Sequence, residues 1–181
     1  VDTLGRVGAI TNIEGKTDPT KIWWDVRPHP KFNTLEVRIA DICTRVEDAV
    51  AITALVQALV AKLLKLRRNN QSWRRYRLHH LRENKWRAMR YGINGKLIDF
   101  GKKEEIPMNF LTAEIIDFVD DVLDELGSRD EISHLNTILK EGTSADRQIQ
   151  AYYKAKEKGA NDQEALQAVV DHLTLETMQG L

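Results

Sequence analysis

Two short segments near the start of the chain alternate apolar and polar side chains with the period of a β-strand. They cover residues 22–27 and 35–39, and their apolar positions are Ile22, Trp24, Val26, Leu35, Val37 and Ile39. The connection at residues 28–33 contains two prolines, which cannot donate to a strand ladder, so we predict a loop there. The pattern therefore predicts a hairpin over about residues 22–40, with one apolar face and one charged face.

After residue 41 the apolar positions follow a helical period, which predicts a mostly helical remainder. Residues 44–47 have the spacing of a capping box, and the helix that follows has its apolar positions at Val46, Ala49, Val50, Leu55, Val56, Leu59, Val60 and Leu63. Further helices are predicted over 70–91, 112–126, 144–158 and 162–178, with another opened by a second capping box at 128–131. A short strand is predicted near residues 97–100. The predicted fold class is α+β.

The charged face of the predicted hairpin brings carboxylates and guanidiniums together. Residues two apart on a strand point to the same side, so Glu36 and Arg38 share a face, and strand pairing adds Asp25 and Arg27. A carboxylate beside guanidiniums suits magnesium–phosphate chemistry, because the carboxylate binds the hard cation and the guanidinium pairs with phosphoryl oxygens. The alternative is a solvated face with cross-strand ion pairs, which the pattern alone favours.

Three blocks of sequence, in the same order, resemble the carboxylate-amine ligase family, also called type 2 glutamate-cysteine ligase. They comprise residues 23–30 (WWDVRPHP) with 34–41 (TLEVRIAD) and 44–45, residues 83–92 (ENKWRAMRYG) with 97–99, and residues 142–148 (GTSADRQ). Together they span most of the chain, so the match is more specific than a single short motif. The resemblance implies a glutamine synthetase-like fold, in which a curved antiparallel sheet carries metal ions and nucleotide on its concave face.

The resemblance also implies an ATP-dependent reaction. A substrate carboxylate, in glutamate-cysteine ligases that of the glutamate side chain, is phosphorylated, and an amine such as that of cysteine attacks the acyl phosphate to form an amide. By this resemblance Glu36 is a Mg²⁺ ligand, Arg38 stabilises the transferring phosphoryl group, and Arg27 contacts ATP phosphates or the acyl phosphate. His29, beside the same face, is a candidate for nucleotide contact or for fixing its loop. The expected cofactors are ATP and Mg²⁺.

The second and third blocks suggest substrate contacts. On a helix, Asn84, Arg87 and Arg90 are spaced to share a face and could present donors to a substrate carboxylate. Equally, these arginines could stay solvated while their stems cover apolar surface. Arg147 could reach an anion from the start of a helix that Ser144 is predicted to cap, and the alternative is an ordinary capped surface helix.

The extent of the match suggests part of a larger domain. Family chains are considerably longer, and we find no strand with acidic metal ligands before residue 22. The sequence also begins at Val1 without an initiator methionine. We therefore expect residues 1–181 to be the C-terminal portion of one glutamine synthetase-like ligase domain, with the N-terminal part of that domain absent from this chain. We expect the isolated chain not to turn over ATP, and the protein to form a homo-oligomer such as a dimer.

Charge distribution keeps two other functional classes open. The 27 basic and 27 acidic residues cancel, which disfavours a uniformly cationic nucleic-acid binder. Residues 62–90 are nevertheless strongly basic and contain aromatic side chains, as a groove for single-stranded nucleic acid would, although the acidic stretch at 114–131 offers an internal partner. A nucleic-acid-binding helical module and a non-catalytic oligomerisation or scaffold fragment are thus the alternatives to a ligase.

The apolar stretch at residues 49–66 is interrupted by Thr53, Gln57, Lys62 and Lys65, so we predict a buried core helix rather than a membrane span. There is one cysteine, Cys43, and no recognisable signal peptide. These features favour a cytoplasmic protein with no membrane partner, and the family resemblance implies small-molecule substrates.

Overall fold

The computed structural model describes residues 12–13, 16–17, 23–29, 32–73 and 75–179. The chain divides into two compact units, Val1–Ile42 and Cys43–Leu181. The first unit contains antiparallel hairpins and the second is mainly helical, which confirms the predicted α+β class. Ile22, which the pattern assigned to the first strand of the hairpin, lies outside the described residues.

The first unit has two small hairpins. Strands β1 (Asn12–Ile13) and β2 (Lys16–Thr17) form one, and strands β3 (Val26–Pro28) and β4 (Leu35–Val37) form the other. The β3–β4 hairpin is the predicted one, although its strands are shorter than the pattern suggested. Its Val26 and Val37 side chains are exposed whereas Arg27 is buried, so the hairpin does not bury its apolar face, and Arg27 is the covered residue of the charged face.

The prediction that Pro28 belongs to a loop is wrong, because Pro28 pairs with Leu35 at the end of the ladder. The Arg38 N–H donates to Asp25 O at 2.7 Å, and the His29 N–H donates to Thr34 O at 2.9 Å. Hydrogen-bonded and non-hydrogen-bonded pairs alternate along an antiparallel ladder, so the pair of Pro28 and Leu35 is a non-hydrogen-bonded one. The missing N–H of Pro28 therefore costs no bond within this hairpin.

The second unit contains helices joined by short connections and one further hairpin. Its elements are α1 (Val46–Arg68), α2 (Leu78–Tyr91), a 3₁₀ turn (Gly92–Asn94), β5 (Lys96–Asp99), β6 (Glu104–Pro107), α3 (Met108–Leu126), α4 (Arg129–Ser133), α5 (Leu135–Glu141), α6 (Ser144–Glu157) and α7 (Asp162–Thr177). Strand β5 confirms the predicted strand. Its antiparallel partner β6 was missed because it opens with two glutamates and ends in proline, and so lacks an apolar alternation.

The core of the second unit lies where α1 meets α3, α4 and α5. Its buried apolar side chains are Ala51, Ala54, Ala58, Val119, Val122, Leu123, Ile132 and Leu135. Each of the larger ones contributes about 1.5–3 kcal/mol by leaving water. Helix α1 therefore buries an alanine face. The predicted apolar stripe is wrong at five positions, which are exposed: Val46, Ala49, Val50, Val60 and Leu63.

The small alanine side chains on α1 let the neighbouring helices approach closely. This close packing determines which face of α1 is buried, although larger apolar residues lie on its other faces. Among the described residues, α1 is the one helix whose length and composition would allow it to cross a membrane. That is a weak indication, because core helices of soluble proteins meet the same criterion. The alanine face of α1 is part of the core of the second unit, as expected for the predicted core helix.

Several predicted helix boundaries also differ from the structure. Helix α2 begins at Leu78 rather than residue 70, and Asn70 takes a left-handed φ of 54° just after α1 ends. The predicted ends at Gly92 and Gly127 are confirmed, since both glycines cap helices with positive φ. Helices α6 and α7, both predicted from the sequence, pack against each other.

The capping boxes predicted at residues 44–47 and 128–131 are wrong. The N-cap residues Arg45 and Ser128 make no side-chain cap hydrogen bond. Capping boxes occur instead at α6, between Thr143 and Asp146, and at α7, between Asn161 and Glu164. Thr143 thus replaces the predicted cap, Ser144.

Candidate functional site

The β3–β4 hairpin gathers three predicted site residues around the carboxylate of a fourth, Glu36. Arg27 faces Glu36 across the ladder, and its Nε and Nη2 donate to Glu36 Oε2 at 3.0 and 2.6 Å. Arg38 Nη1 lies 3.5 Å from the same oxygen. His29 Nε2 lies 3.8 Å from the other oxygen, Oε1. The predicted proximity of Arg27, Glu36 and Arg38 is confirmed, and their catalytic roles stay predictions.

The two arginines of this cluster differ in their exposure to solvent. Arg27 is 7 % exposed, whereas the side chain of Arg38 is 41 % exposed. The hydrogen bonds from Arg27 lower the pKa of the Glu36 carboxyl, and the charge of Arg27 acts in the same direction. Glu36 is therefore ionised at neutral pH, which a ligand of a hard cation must be. Arg38 is the guanidinium with the greater access to solvent.

The cluster fits one ligand of a magnesium ion. Glu36 Oε1 is the carboxylate oxygen that neither arginine engages. In the part of the chain that the structure describes, no group of three or more His, Cys, Asp or Glu side chains could hold a metal ion. Mg²⁺ is commonly bound by one or two carboxylates together with waters and substrate phosphates, so a single carboxylate is compatible with it.

His29 is fixed by its own loop. Its Nδ1 accepts a hydrogen bond from the Phe32 N–H at 3.1 Å, and the two rings lie 4.7 Å apart. Because Nδ1 is an acceptor, the neutral imidazole carries its proton on Nε2, the atom nearer Glu36. The geometry supports the loop-fixing role of His29, while its contact to nucleotide stays a prediction.

Asn84 and Arg87, candidate substrate contacts from the second sequence block, form hydrogen bonds within the second unit. Asn84 joins α2 to β5: its Nδ2 donates to Ile98 O at 2.9 Å and its Oδ1 accepts from the Ile98 N–H at 2.8 Å. Arg87 donates to Glu83 at 2.8 Å and to Glu105 at 2.7 Å. Both side chains therefore brace this hairpin against α2. Asn84 and Ile98 both belong to the second block of family resemblance, which comprises residues 83–92 and 97–99.

Arg90 and Arg147 differ in their surroundings. The Arg90 guanidinium lies 5.6 Å from the ring centroid of Tyr91. Arg147 is 6 % exposed; its Nη1 donates to Gly142 O at 2.6 Å and its Nη2 donates to Asp48 Oδ2 at 3.0 Å. Arg147 Nε also lies 2.5 Å from Glu176 Oε1. Arg147 is thus held in the interior of the second unit rather than on a surface helix.

Sequence reasoning missed the partners of Arg147, because they are far away in the chain. Glu176 is 2 % exposed, and it accepts hydrogen bonds from Thr44 Oγ1 at 2.5 Å and from Arg45 Nε at 3.0 Å. Arg45 Nη1 donates to Glu141 Oε2 at 2.6 Å. His134 Nε2 lies 2.9 Å from Asp48 Oδ1. We call this cluster the buried ion network. Its buried and half-buried members are Thr44, Arg45, Asp48, His134, Arg147 and Glu176, and Glu141 is its exposed end.

Burial alone would raise the pKa of Glu176, but the hydrogen bonds from Thr44 and Arg147 and the nearby guanidinium charges lower it overall. The network joins the start of α1 to α5, α6 and α7. A sequence signal for it existed, since residues 44–45 and 142–148 both belong to the resemblance blocks.

The acidic stretch partly neutralises the basic one, as predicted. Lys62 and Lys65 on α1 lie 2.6 and 2.8 Å from the Asp121 carboxylate on α3. These contacts occupy two cations that the nucleic-acid alternative would need.

Comparison with known proteins shows the family. The chain belongs to glutamate-cysteine ligase family 2, whose model matches residues 1–172. This confirms the resemblance found in the sequence blocks.

Relatives from three bacteria carry the name "Putative glutamate--cysteine ligase 2". One from Herpetosiphon aurantiacus is 50 % identical over 161 residues, which cover 89 % of this chain and 40 % of the relative. One from Sorangium cellulosum is 47 % identical and one from Chloroflexus aurantiacus is 48 % identical, each over 181 residues that cover 100 % of this chain and 44 % or 43 % of the relative. The chain thus spans about two-fifths of the length of these curated relatives.

Proposed function

We propose that the complete protein is an ATP-dependent carboxylate-amine ligase of the glutamate-cysteine type, and that this chain supplies part of its Mg-ATP site. Membership of the family and the names of the relatives support a ligase. The observation that carries the assignment to this chain is the cluster in which Arg27, Arg38 and His29 surround Glu36. We further propose that the β3–β4 hairpin belongs to a glutamine synthetase-like sheet.

The proposed reaction has two steps. In the first, an oxygen of the glutamate side-chain carboxylate attacks the γ-phosphorus of ATP, the bond to the bridging oxygen breaks, and ADP leaves. In the second, the amine nitrogen of a substrate such as cysteine attacks the acyl carbon, the carbon–oxygen bond to phosphate breaks, and the nitrogen loses a proton. The products are an amide, ADP and inorganic phosphate.

We assign a different role in this reaction to each residue of the cluster. Arg38, which has the greater access to solvent, contacts oxygens of the transferring phosphoryl group and stabilises their charge. Arg27 keeps Glu36 ionised and oriented, and its predicted contact to phosphate is retained as part of the proposal. Glu36 would bind Mg²⁺ through Oε1. Bound Mg²⁺ supplies charge neutralisation of the phosphate oxygens.

The other predicted contacts rest on weaker support. Asn84, Arg87 and Arg147 already pair within the second unit, so we assign them first to positioning that unit. Arg90 is retained as a proposed contact to a substrate carboxylate. The cytoplasmic location and the homo-oligomer stay predictions.

The test is Glu36→Gln in the complete protein. The amide keeps the size of the side chain but removes the charge that binds a cation, so we expect glutamate-dependent ADP release and amide formation to fall at least about 100-fold. Mass spectrometry of the product and a coupled ADP assay measure both steps. Glu104→Gln on β6 is the matched control, because it makes the same change at an exposed carboxylate.

Circular dichroism confirms that the variant is folded. Unchanged turnover by folded Glu36→Gln would remove this residue from the proposed site.

A further inference from the structure

Helix α1 carries a second line of side chains on a different face from its buried alanines. The positions follow one another at alternating spacings of four and three residues, which is the heptad spacing of helices that pair side by side. We call this line the outer seam, and its members are Val46, Val50, Thr53, Gln57, Val60 and Leu64. All six are exposed. Among the described residues, the core cluster of the second unit includes none of them.

The outer seam is complementary to itself when its direction is reversed. In an antiparallel pair of α1 helices centred on the seam, Val46 faces Leu64 of the second copy. Val50 then faces Val60 of the second copy, so each large apolar side chain meets another one. Removing such side chains from water is the main driving force for association.

The centre of the outer seam is polar. The Thr53 hydroxyl donates to Ala49 O at 2.8 Å, and its oxygen can still accept a hydrogen bond. In the antiparallel pair Thr53 faces Gln57 of the second copy, whose amide N–H can donate to that oxygen. A shift of register would place both polar side chains against apolar ones, so this pair specifies the register.

The charges at the ends of α1 favour the antiparallel direction over the parallel one. The first turn carries the exposed carboxylate of Glu47, and the last turn carries the exposed guanidinium of Arg68. Antiparallel pairing brings the acidic start of each helix to the basic end of the other, and it also opposes the two helix dipoles. A parallel pair would match the same seam positions but would place like charges together at both ends.

The surface beside the seam can receive a second helix. A groove of about 560 Å³ runs beside its first half, with seam residues from Val46 to Gln57 on one side. The connection between α3 and α4, from Leu126 to Ser128, lines the other side. Antiparallel pairing brings the last turns of the second α1, near Leu64, to the level of this groove. Amphipathic helices commonly bind in grooves of this kind.

We propose that the outer seam pairs with the outer seam of a second copy of this chain, in an antiparallel arrangement with two-fold symmetry. Both copies then use the same surface, as in other two-fold dimers. The second copy is the occupant that the seam itself specifies, because its apolar positions, polar centre and end charges all match their own reversed order. The proposal does not rest on the ligase activity.

Sedimentation velocity of the chain tests the pairing. We expect a reversible dimer with a dissociation constant in the micromolar range, since one pair of helices is a small interface. Val60→Glu places a charge against Val50 of the second copy and should raise that constant at least about tenfold. Val170→Glu makes the same change at an exposed valine of α7 and is the control. A monomeric wild-type chain, or a Val60→Glu dimer as tight as the wild type, would overturn the proposal.

A charge exchange tests the direction of the pair. When Val50→Lys is combined with Val60→Glu, the new ammonium faces the new carboxylate of the second copy in the antiparallel pair, so dimerisation should recover. In a parallel pair each new charge would face its own equivalent, and dimerisation would stay weak. A folded double variant that fails to recover would overturn the antiparallel arrangement. Circular dichroism checks that each variant is folded.

The complete protein tests whether the seam is used between copies. We expect it to form a dimer that Val60→Glu shifts towards the monomer. A monomeric complete protein, or a dimer that Val60→Glu leaves unchanged, would assign the seam to contacts within one polypeptide and overturn the proposal.

Discussion

Two nitrogens of Arg27 donate to the same carboxylate oxygen of Glu36: Nε and Nη2 lie 3.0 and 2.6 Å from Oε2. These hydrogen bonds fix the carboxylate and keep it ionised, while its other oxygen, Oε1, lies 3.8 Å from His29 Nε2. A carboxylate held in this way is preorganised, because little reorganisation is needed when a cation binds. This preorganisation supports the metal ligand and the phosphate contact that we propose for the hairpin.

Arg38 should contribute a forked contact as well as a charge. We expect Arg38→Ala in the complete protein to lower kcat about 100-fold or more, and Arg38→Lys to restore only part of it, because lysine keeps the charge but cannot pair bidentately. Steady-state kinetics with varied ATP separates kcat from KM. Arg67→Ala, at an exposed arginine near the end of α1, is the control. A normal kcat for Arg38→Ala would contradict the proposed role.

Arg147 should be essential for stability. Removing it by Arg147→Ala leaves Asp48 and Glu176 buried with one partner fewer, and breaking a buried ion pair typically costs about 3–5 kcal/mol in the free energy of unfolding. Urea unfolding of the chain measures this cost. Arg90→Ala, which removes an arginine from an exposed position, should cost much less. If Arg147→Ala unfolded at the wild-type urea concentration, a structural role for Arg147 would be ruled out.

The contacts of Asp121 with Lys62 and Lys65 should make the free energy of unfolding depend on pH in the acidic range. The hydrogen bond from Lys62, followed by that from Lys65, lowers the pKa of Asp121 from 3.8 to about 2. The pKa of this carboxyl is lower in the folded state than in the unfolded state. The ionised carboxyl therefore stabilises the protein fully at pH values above the unfolded-state pKa. This contribution is lost as the pH falls through the folded-state pKa. The stability difference between wild type and Asp121→Asn should therefore be constant near neutral pH and shrink between about pH 4 and pH 2.

Urea midpoints measured across this pH range give that difference. Asp130→Asn, at another exposed aspartate, is the comparison variant. A difference that stays constant down to pH 2 would contradict the assigned pKa.

The 181-residue chain alone should not release phosphate steadily from ATP when Mg²⁺, glutamate and cysteine are supplied. Within the described ranges no cluster of three or more potential ligands could hold a metal ion, and the hairpin cluster offers the Glu36 carboxylate as its proposed ligand. A continuous phosphate assay measures release, with the complete protein as positive control. Steady release by the chain alone would show that its own residues are sufficient.

Local periodicity was enough to predict the hairpin cluster. Arg27, Glu36 and Arg38 meet because strand side chains alternate with period two and the strands pair, and both features are visible in the sequence. The family blocks then gave these residues an expected role, and the family itself was confirmed.

The packing of α1 and the buried ion network could not be predicted in this way. Helix α1 is apolar on several faces, so its pattern did not identify the alanine face that meets α3. Thr44 looked like a helix cap, but its hydroxyl binds Glu176, 132 residues further along the chain. Asp48 and Arg147 are 99 residues apart. Periodicity reports neighbours within one element and carries no information on contacts over such separations.

The position of Pro28 also determines how the hairpin can be extended into a wider sheet. Because Pro28 belongs to a non-hydrogen-bonded pair, its backbone nitrogen faces the outer edge of β3, where it has no hydrogen to donate. A strand added beside β3 would lose a bond there. The outer edge of β4 presents Leu35 and Val37, which have both a donor and an acceptor. A neighbouring strand is therefore accommodated more favourably beside β4, while the proline protects β3 from unwanted edge pairing.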